Sequence, residues 1–419
     1  MHFDQDGTYN LVYTAEDECG NTTLAERVVE VFTVRTVLYP DGTFIINEKS
    51  TDQASNEALH GGTATNVYIP FDPNGATGTT RYEFANKDER PWHSQSASVK
   101  SVEIGSAITP YSLQHWFTEF TVCESMTHLD LIDTSRATSF RGTFYQCQAL
   151  TSLDVSSFDT SNATTMVSMF ERCSALTNLD LSNFDTSNVT SMESMFYSCS
   201  ALTSLDVSDF DTSNVTSMES MFYSCSALTS LDLSSFNTSK VTRMWNMFYY
   251  CTALTSLDLS GFDTSEVTTM QSMFGGCSAL TSLNVSSFDT SSVTTMFNMF
   301  KGCSALTSLD VSNFVTSEVT TMQSMFESCS LLTSLDVSNF DTSKVATMSS
   351  MFRACSVLVT IFASNLFVTD QVTYSSQMFY NSKKIVGGAG TVYRAAKVDK
   401  SYAHIDGGTS NPGYFTAKA

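Results

Sequence analysis

An α/β repeat solenoid with capping segments is the fold class this sequence predicts, and three patterns predict it. Cys147, Cys173, Cys199, Cys225, Cys251, Cys277, Cys303, Cys329 and Cys355 each stand 26 residues after the last. Within every interval an L-x-x-L-x-L segment alternates apolar and polar residues, the period of a strand with one buried face. Met, Met-Phe and Cys then follow at spacings of three, four and seven, the period of a short helix. Such a unit cannot bury its own apolar face, so successive coils must stack around one continuous core. A shorter unit of 24 residues, Cys123 to Cys147, comes first, because its LDLIDTS lacks two residues of the later LDVSSFDTS.

The coil LTSLDVSDFDTSNVTSMESMFYSCSA, residues 202–227, shows the elements in order. Leu202, Leu205 and Val207 form the apolar side of a strand, against Ser204, Asp206 and Ser208. Asp209, Asp211, Thr212 and Ser213 carry turn chemistry, and Phe210 between them is expected to point inward. Val215, Met218, Met221, Phe222 and Cys225 then supply one or two helical turns, with Thr216 or Ser217 as the cap. One short strand and one short helix per coil are therefore expected.

These segments carry a resemblance. LTSLDLS, F-D-T-S-x-V-T-x-M and M-F-x-x-C-S-x-L resemble the BspA-like leucine-rich-repeat proteins of bacterial surfaces, in the branch with 26-residue repeats. RPWHSQSASVKSVEIGSAITP with Trp116-Phe117 is similar to the lead-in of that family's arrays, and VGGAGTVYRAAKVDKSYAHIDGGTSNPGYF to their tail. The resemblance implies a surface-exposed or secreted protein that binds host molecules or other cells. It implies no reaction and no catalytic residues.

Outside the array the chain reads as three further segments. Residues 1–35 hold two alternating stretches, GTYNLVYTAED and LAERVVEVFTV, around an ECGN turn. They look like the last hairpin of an immunoglobulin-like domain, a partial one, since a sandwich needs about seven strands. A fragment of a longer protein is the expectation. Residues 36–122 are non-repetitive, with a hairpin in VLYPDGTFIIN, turns at HGG and DPNG, and a cap over the first coil from about residue 80. The solenoid is placed at 123–380 and the closing cap at 381–419, where Gly387-Gly388 and Gly407-Gly408 lie.

Charge narrows the function classes. The 419 residues carry 43 acids against 21 bases, a formal charge of −22. That field repels phosphate backbones and anionic bilayers, so neither nucleic acid nor direct membrane insertion is expected. No run of apolar residues is long enough to span a bilayer, and MHFDQDGTYN has neither the basic nor the apolar region of a secretory signal. An extracellular or cell-surface location therefore expects its export signal and anchor outside this chain.

Several repeated positions are candidate sites. The cysteine row is expected to be reduced and buried, because its side chains point in parallel along the apolar face. Zinc is not expected, since no repeat holds a histidine and no C-x-x-C occurs. Asp154, Asp180, Asp206, Asp232, Asp258, Asn284, Asp310 and Asp336 form an outward acidic row, with Ser and Thr hydroxyls as donors and calcium as the sharper alternative. Asp159, Asp185, Asp211, Asn237, Asp263, Asp289 and Asp341 precede Thr-Ser in an Asx-turn pattern that Val315 breaks. N-x-T at Asn162, Asn188 and Asn214 comes from the repeat itself and points only weakly to glycosylation. None of the six histidines has triad or metal spacing.

Two of the positions that differ between coils lie beside the Met anchors. After the first Met stand Val167, Glu193, Glu219, Trp245, Gln271, Phe297, Gln323 and Ser349; after Met-Phe stand Glu171, Tyr197, Tyr223, Tyr249, Gly275, Lys301, Glu327 and Arg353. Invariant positions fill the core, so these face outward. Trp245, Tyr249, Tyr250 and Phe297, extended by Tyr197 and Tyr223, are the expected partner-binding patch; Asp206, Asp232 and Asp258 are the alternative acidic face. The expected function is adhesion or recognition of a protein or glycan on a host or neighbouring cell, without cofactor. A structural spacer that presents another module is the rival reading. Catalysis ranks last, because no coil brings an acid, a base and a nucleophile together.

Overall fold

The computed structural model describes residues 7–16, 22–31, 34–49, 59–60, 66–68, 87–90 and 92–418. Its repeated coils are bonded mainly to each other. Four N–H groups of the Met218 segment donate to the next coil: Met218 to the Arg243 carbonyl (3.0 Å), Ser220 to Trp245 (3.0 Å), Phe222 to Met247 (3.0 Å) and Ser224 to Tyr249 (2.7 Å). The amides between them turn back three residues: Met221 to Met218 (3.2 Å), Tyr223 to Ser220 (3.1 Å) and Cys225 to Phe222 (3.2 Å). Every second amide thus stitches coils, and every other one closes a tight turn.

This pattern replaces the expected helix. Ser220 and Ser224 have φ of 54° and 59°, and the equivalent residues of the other coils are left-handed too. An α-helix needs negative φ throughout and i to i−4 bonds. Here half the amides are committed to a neighbour, so the Met-to-Cys segments form no helix, and a ribbon of consecutive turns runs in its place. The ribbon repeats every four residues, which reproduces the three-and-four spacing of a helical face. Neither proposed cap serves in this coil: Thr216 Oγ1 donates to the Thr190 carbonyl, and Ser217 Oγ is buried without a partner.

The strand is also narrower than expected. A file of isolated parallel bridges runs from Ser139 through Thr165, Ser191, Ser217 and Arg243 to Tyr374, one residue per coil, just ahead of the first Met. The L-x-x-L-x-L segment joins a ladder only near the ends of the array. In the middle coils single bonds, such as the Thr255 N–H to the Thr229 carbonyl (3.3 Å), link it instead. At the C-terminal end β8 (Ser334–Asp336), β9 (Thr360–Ala363) and β10 (Phe415–Ala417) form a parallel sheet in the order β10-β9-β8.

The N-terminal sheet grows directly into the array. β1 (Gly7–Glu16) and β2 (Thr22–Val31) pair antiparallel, as their alternation predicts. β3 (Val34–Leu38) and β4 (Thr43–Lys49) form the hairpin expected in VLYPDGTFIIN, turning through Asp41, whose Oδ1 accepts the Thr43 N–H (2.8 Å), and Gly42 at φ 94°. With β5 (Asn66–Tyr68), β6 (Ser101–Ile104) and β7 (Ser125–Thr127) the order is β5-β3-β4-β6-β7, and β4, β6 and β7 run parallel. The ECGN and DPNG turns and the two glycines of HGG lie outside the described residues.

The lead-in is itself a coil. Leu113, His115 and Phe117 donate to the carbonyls of Ser139, Arg141 and Thr143, each at 2.9 Å, and His115 and Glu119 are left-handed at φ 60° and 64°. Trp116-Phe117 occupies the Met-Phe position, and Phe117 stacks on Phe144 at 5.3 Å. Trp92 covers this coil, buried, with its Nε1–H on the Trp116 carbonyl (3.2 Å). Arg90 is buried beneath it, donating to the Thr118 carbonyl and lying 3.6 Å from Glu119. At the far end Asp406 organises the closing cap by accepting from Ala389, Thr391, Gly408 and Gly413 amides and the Thr391 hydroxyl.

The core is one column, as the register predicts. Leu205, Val207, Phe210, Val215, Met218, Met221, Phe222 and Cys225 are all buried, and their equivalents join a single apolar cluster along the array. Phe170, Phe196, Phe222, Phe248 and Phe274 stack face over face at 5.7–5.8 Å. Two polar side chains reinforce each interface. Cys225 Sγ–H donates to the Phe196 carbonyl one coil back (3.1 Å), and every ladder cysteine from Cys147 to Cys355 repeats that bond. Buried Thr212 donates its hydroxyl to the Asn237 carbonyl one coil forward (2.9 Å). Where the last coil loses its cysteine, Ser382 donates to the Phe352 carbonyl instead.

Burial pushes the Cys225 thiol up to about 12, so almost no thiolate exists at neutral pH. Native protein alkylated at mildly alkaline pH should leave the nine ladder thiols unmodified, whereas alkylation in denaturant should label all nine as free thiols. Rapid native labelling, or a crosslink between adjacent ladder cysteines, would contradict the packing.

Candidate functional site

The turn ribbon sends Met, Met-Phe and Cys inward, and most residues between them reach the surface at least in part, although Val167, Ser220, Ser272, Asn298, Ser324 and Glu327 are buried. The six expected aromatic residues separate into two groups there. Tyr197 and Tyr223 stack at 4.3 Å and 10°, Tyr223 meets Tyr249 at 5.1 Å, and Tyr249 meets Tyr250 edge-on at 4.3 Å. Arg172 lies over the outer face of Tyr197, 5.8 Å from its centroid. These tyrosines form one strip across three coils. Tyr250 is the most open of them at 46% exposure, while Tyr197, Tyr223 and Tyr249 are half-buried.

Trp245 and Phe297 stand apart from this strip. Both are half-buried, and among the described residues neither makes a ring contact with the tyrosines or with the other. The Trp245 Nε1–H is buried without a hydrogen-bond partner of normal geometry. Its indole lies close to Glu219, whose carboxyl is raised by burial and partly drawn back by that approach. Gln271 occupies the intervening coil of the row. The patch of Trp245 and Phe297 expected from their two-coil spacing is therefore interrupted.

Glycines explain where the strip ends. A Cβ on Gly275 would sit 2.6 Å from the Tyr249 ring, and one on Gly276 2.5 Å from the Tyr250 ring. The Tyr249-Tyr250 pair leans over the next coil, and only glycine leaves it room. Beyond the glycines the same row becomes ionic: Glu327, buried, takes Lys301 at 3.2 Å and Arg353 at 2.7 Å. Burial also pushes the Tyr223 hydroxyl up to about 12, assisted by Tyr197. Tyr223 thus stays uncharged at any physiological pH.

The acidic row has a different construction. Each side chain accepts the N–H of the Ser two residues on, from Asp154 with Ser156 (3.0 Å) through Asp206 with Ser208 (3.0 Å) to Asp336 with Ser338 (3.0 Å). This row consists of Asx-turns, as does the Asp159 to Asp341 row, where Val315 lacks the acceptor. The side-chain and backbone donors of Ser208 hold Asp206 below the usual carboxylate range, and those of Ser234 and Ser260 do the same for Asp232 and Asp258. One oxygen is tied down and the other faces outward, where at Asp336 it meets Lys418. Among the described residues no three His, Cys, Asp or Glu side chains are arranged to hold a metal ion. Spacing alone had assigned an Asx-turn to only one of the two rows.

Other expected groups are absorbed by the scaffold. Asn162, Asn188 and Asn214 each donate Nδ2 to a carbonyl of the preceding coil at 2.8 Å, so their sequons are structural contacts. Burial, with Arg141 and Arg90 alongside, pushes His115 down to about 4. No helix among the described residues is long and apolar enough to cross a membrane. A Gly276→Ala substitution tests the strip directly. The left-handed backbone costs ~1 kcal/mol, and the added methyl must displace the Tyr250 ring. The tyrosine band of the near-ultraviolet circular dichroism spectrum should shrink while the far-ultraviolet spectrum stays unchanged; an unaltered tyrosine band would contradict the packing of Tyr250 on Gly276.

Comparison with known proteins places the array. No curated protein matches the chain. A crystal structure of a leucine-rich repeat protein from Eubacterium ventriosum matches at 15% identity, over 83% of this chain and 92% of that one, with a TM-score of 0.28. The family described as "Mycoplasma protein of unknown function, DUF285" matches three times in tandem, at residues 111–231, 202–309 and 278–393, starting at the lead-in coil and ending in the closing cap. The chain belongs to this family of tandem repeats.

Proposed function

We propose that this chain is a non-catalytic recognition scaffold that binds a protein partner on a cell surface through the Tyr197, Tyr223, Tyr249 and Tyr250 strip. The continuous tyrosine strip across three successive coils is the observation that carries this reading. Tyrosine offers large contact area with few rotatable bonds to fix. Tyr197 and Tyr223 turn their ring faces to each other at 4.3 Å, which closes those faces to sugar rings and favours a protein over a glycan. The repeat likeness to BspA-like surface proteins is consistent with such a role at a bacterial surface. Trp245 and Phe297 drop to flanking contacts. The acidic face of Asp206, Asp232 and Asp258 stands as the rival surface, and a spacer role as the rival function.

Paired variants separate these readings. Tyr223→Ala with Tyr249→Ala should weaken attachment of the labelled protein to target cells by ~30-fold, the size of a loss of about 2 kcal/mol at a hot spot. Asp206→Asn with Asp232→Asn should leave it within about 3-fold, as expected for rim charges. Unchanged attachment in the tyrosine pair, with an intact circular dichroism spectrum, would remove the strip as the binding site. Equal attachment by every surface variant would favour the spacer.

A further inference from the structure

The closing cap reverses the charge of the molecule. In a chain of net charge −22, residues 381–419 hold six basic side chains and only two acidic ones, Asp399 and Asp406. Both acids are spent locally, Asp399 on the Ser401 amide and hydroxyl and Asp406 on its five donors. Two of the bases are spent as well: Lys400 donates to the Thr369 and Val372 carbonyls, and Lys418 pairs with Asp336. Lys383, Lys384, Arg394 and Lys397 remain, all exposed, and among the described residues none makes an ion pair.

The cap fold gathers these four. Val386 and Val392 form an antiparallel bridge, and the Tyr393 N–H bonds to the Ile385 carbonyl (3.2 Å). That register brings Lys384 across from Arg394. The Lys397 N–H turns back onto the Arg394 carbonyl (2.9 Å), which keeps the fourth cation at the same end. Val392, 58% exposed, lies at the centre of the hairpin.

We propose that this basic cluster docks on the aspartate row of a second copy of the chain, head to flank. The chain already realises that chemistry within itself: Lys418 Nζ sits 2.6 Å from Asp336 Oδ2, while Asp336 Oδ1 holds the Ser338 amide. Asp180, Asp206, Asp232 and Asp258 repeat the Asp336 arrangement in successive coils, with the outer oxygen not reached by any cation among the described residues. Long-range repulsion between two acidic molecules is screened within ~8 Å at physiological salt, so local complementarity decides the contact. Each copy offers its cap to one neighbour and its flank to another, a heterologous arrangement that leaves one cap and one flank free at every step.

Light scattering of the full chain across a concentration series tests this. In about 50 mM NaCl the mean mass should climb past the dimer with no plateau, and apparent affinity should fall at least ~10-fold in about 500 mM NaCl. Lys383→Glu with Lys384→Glu and Arg394→Glu should remain monomeric, and should regain association when mixed with Asp206→Lys plus Asp232→Lys. A monomeric wild type at low salt, a plateau at the dimer, or undiminished assembly of the cap variant would each overturn the proposal. The tyrosine strip takes no part, so Tyr223→Ala with Tyr249→Ala should assemble like the wild type even if its cell attachment is lost.

Discussion

Everything in the array depends on one commitment of the backbone. In the segment from the first Met to the Cys, alternate amides leave their own coil and bond to the next. A buried amide must find an acceptor, and one spent between coils is lost to a helix. The tight turns, the left-handed residues every four positions and the outward pairs between the Met and Phe anchors follow from that choice. Parallel stacking then aligns identical side chains, so one phenylalanine becomes a column, one cysteine a row of thiol-to-carbonyl bonds, and one threonine a row of hydroxyl donors.

Much of this was legible in the sequence. The 26-residue register set the buried residues and the direction of Phe210, both of which appear as expected. Periodicity misread the local backbone because a turn ribbon with a four-residue repeat and a helix place side chains on one face at nearly the same spacing. Left-handed Ser220 and Ser224 leave no trace in a residue alphabet that also places serine elsewhere. The signal that existed was Gly276 and Gly302 at the equivalent positions of two coils, where glycine marks positive φ. Thr212 and Cys225 read as turn chemistry and small hydrophobe; their bonds to neighbouring coils need the stacked geometry to be seen.

The candidate site follows the same division. Variable positions between invariant anchors were readable as outward, and the tyrosines among them meet as a strip because one coil step brings equivalent residues into ring contact. A spacing of two coils does not, which is why Trp245 and Phe297 stay separate. The acidic row shows the opposite limit. Its residues were identified, but the amide each side chain accepts depends on a backbone bend that alternation did not suggest. Rigid rows of this kind suit recognition, since a partner need not order them on binding.

Native-state hydrogen exchange at single-residue resolution tests the central commitment most directly. Exchange protection should alternate in register with the coils: Met218, Ser220, Phe222 and Ser224 strongly protected through their bonds to the next coil, and the exposed Thr203 to Ser204 stretch exchanging much faster. The protected Met-to-Cys set should recur every 26 residues. Exchange of these amides at loop rates would contradict the account.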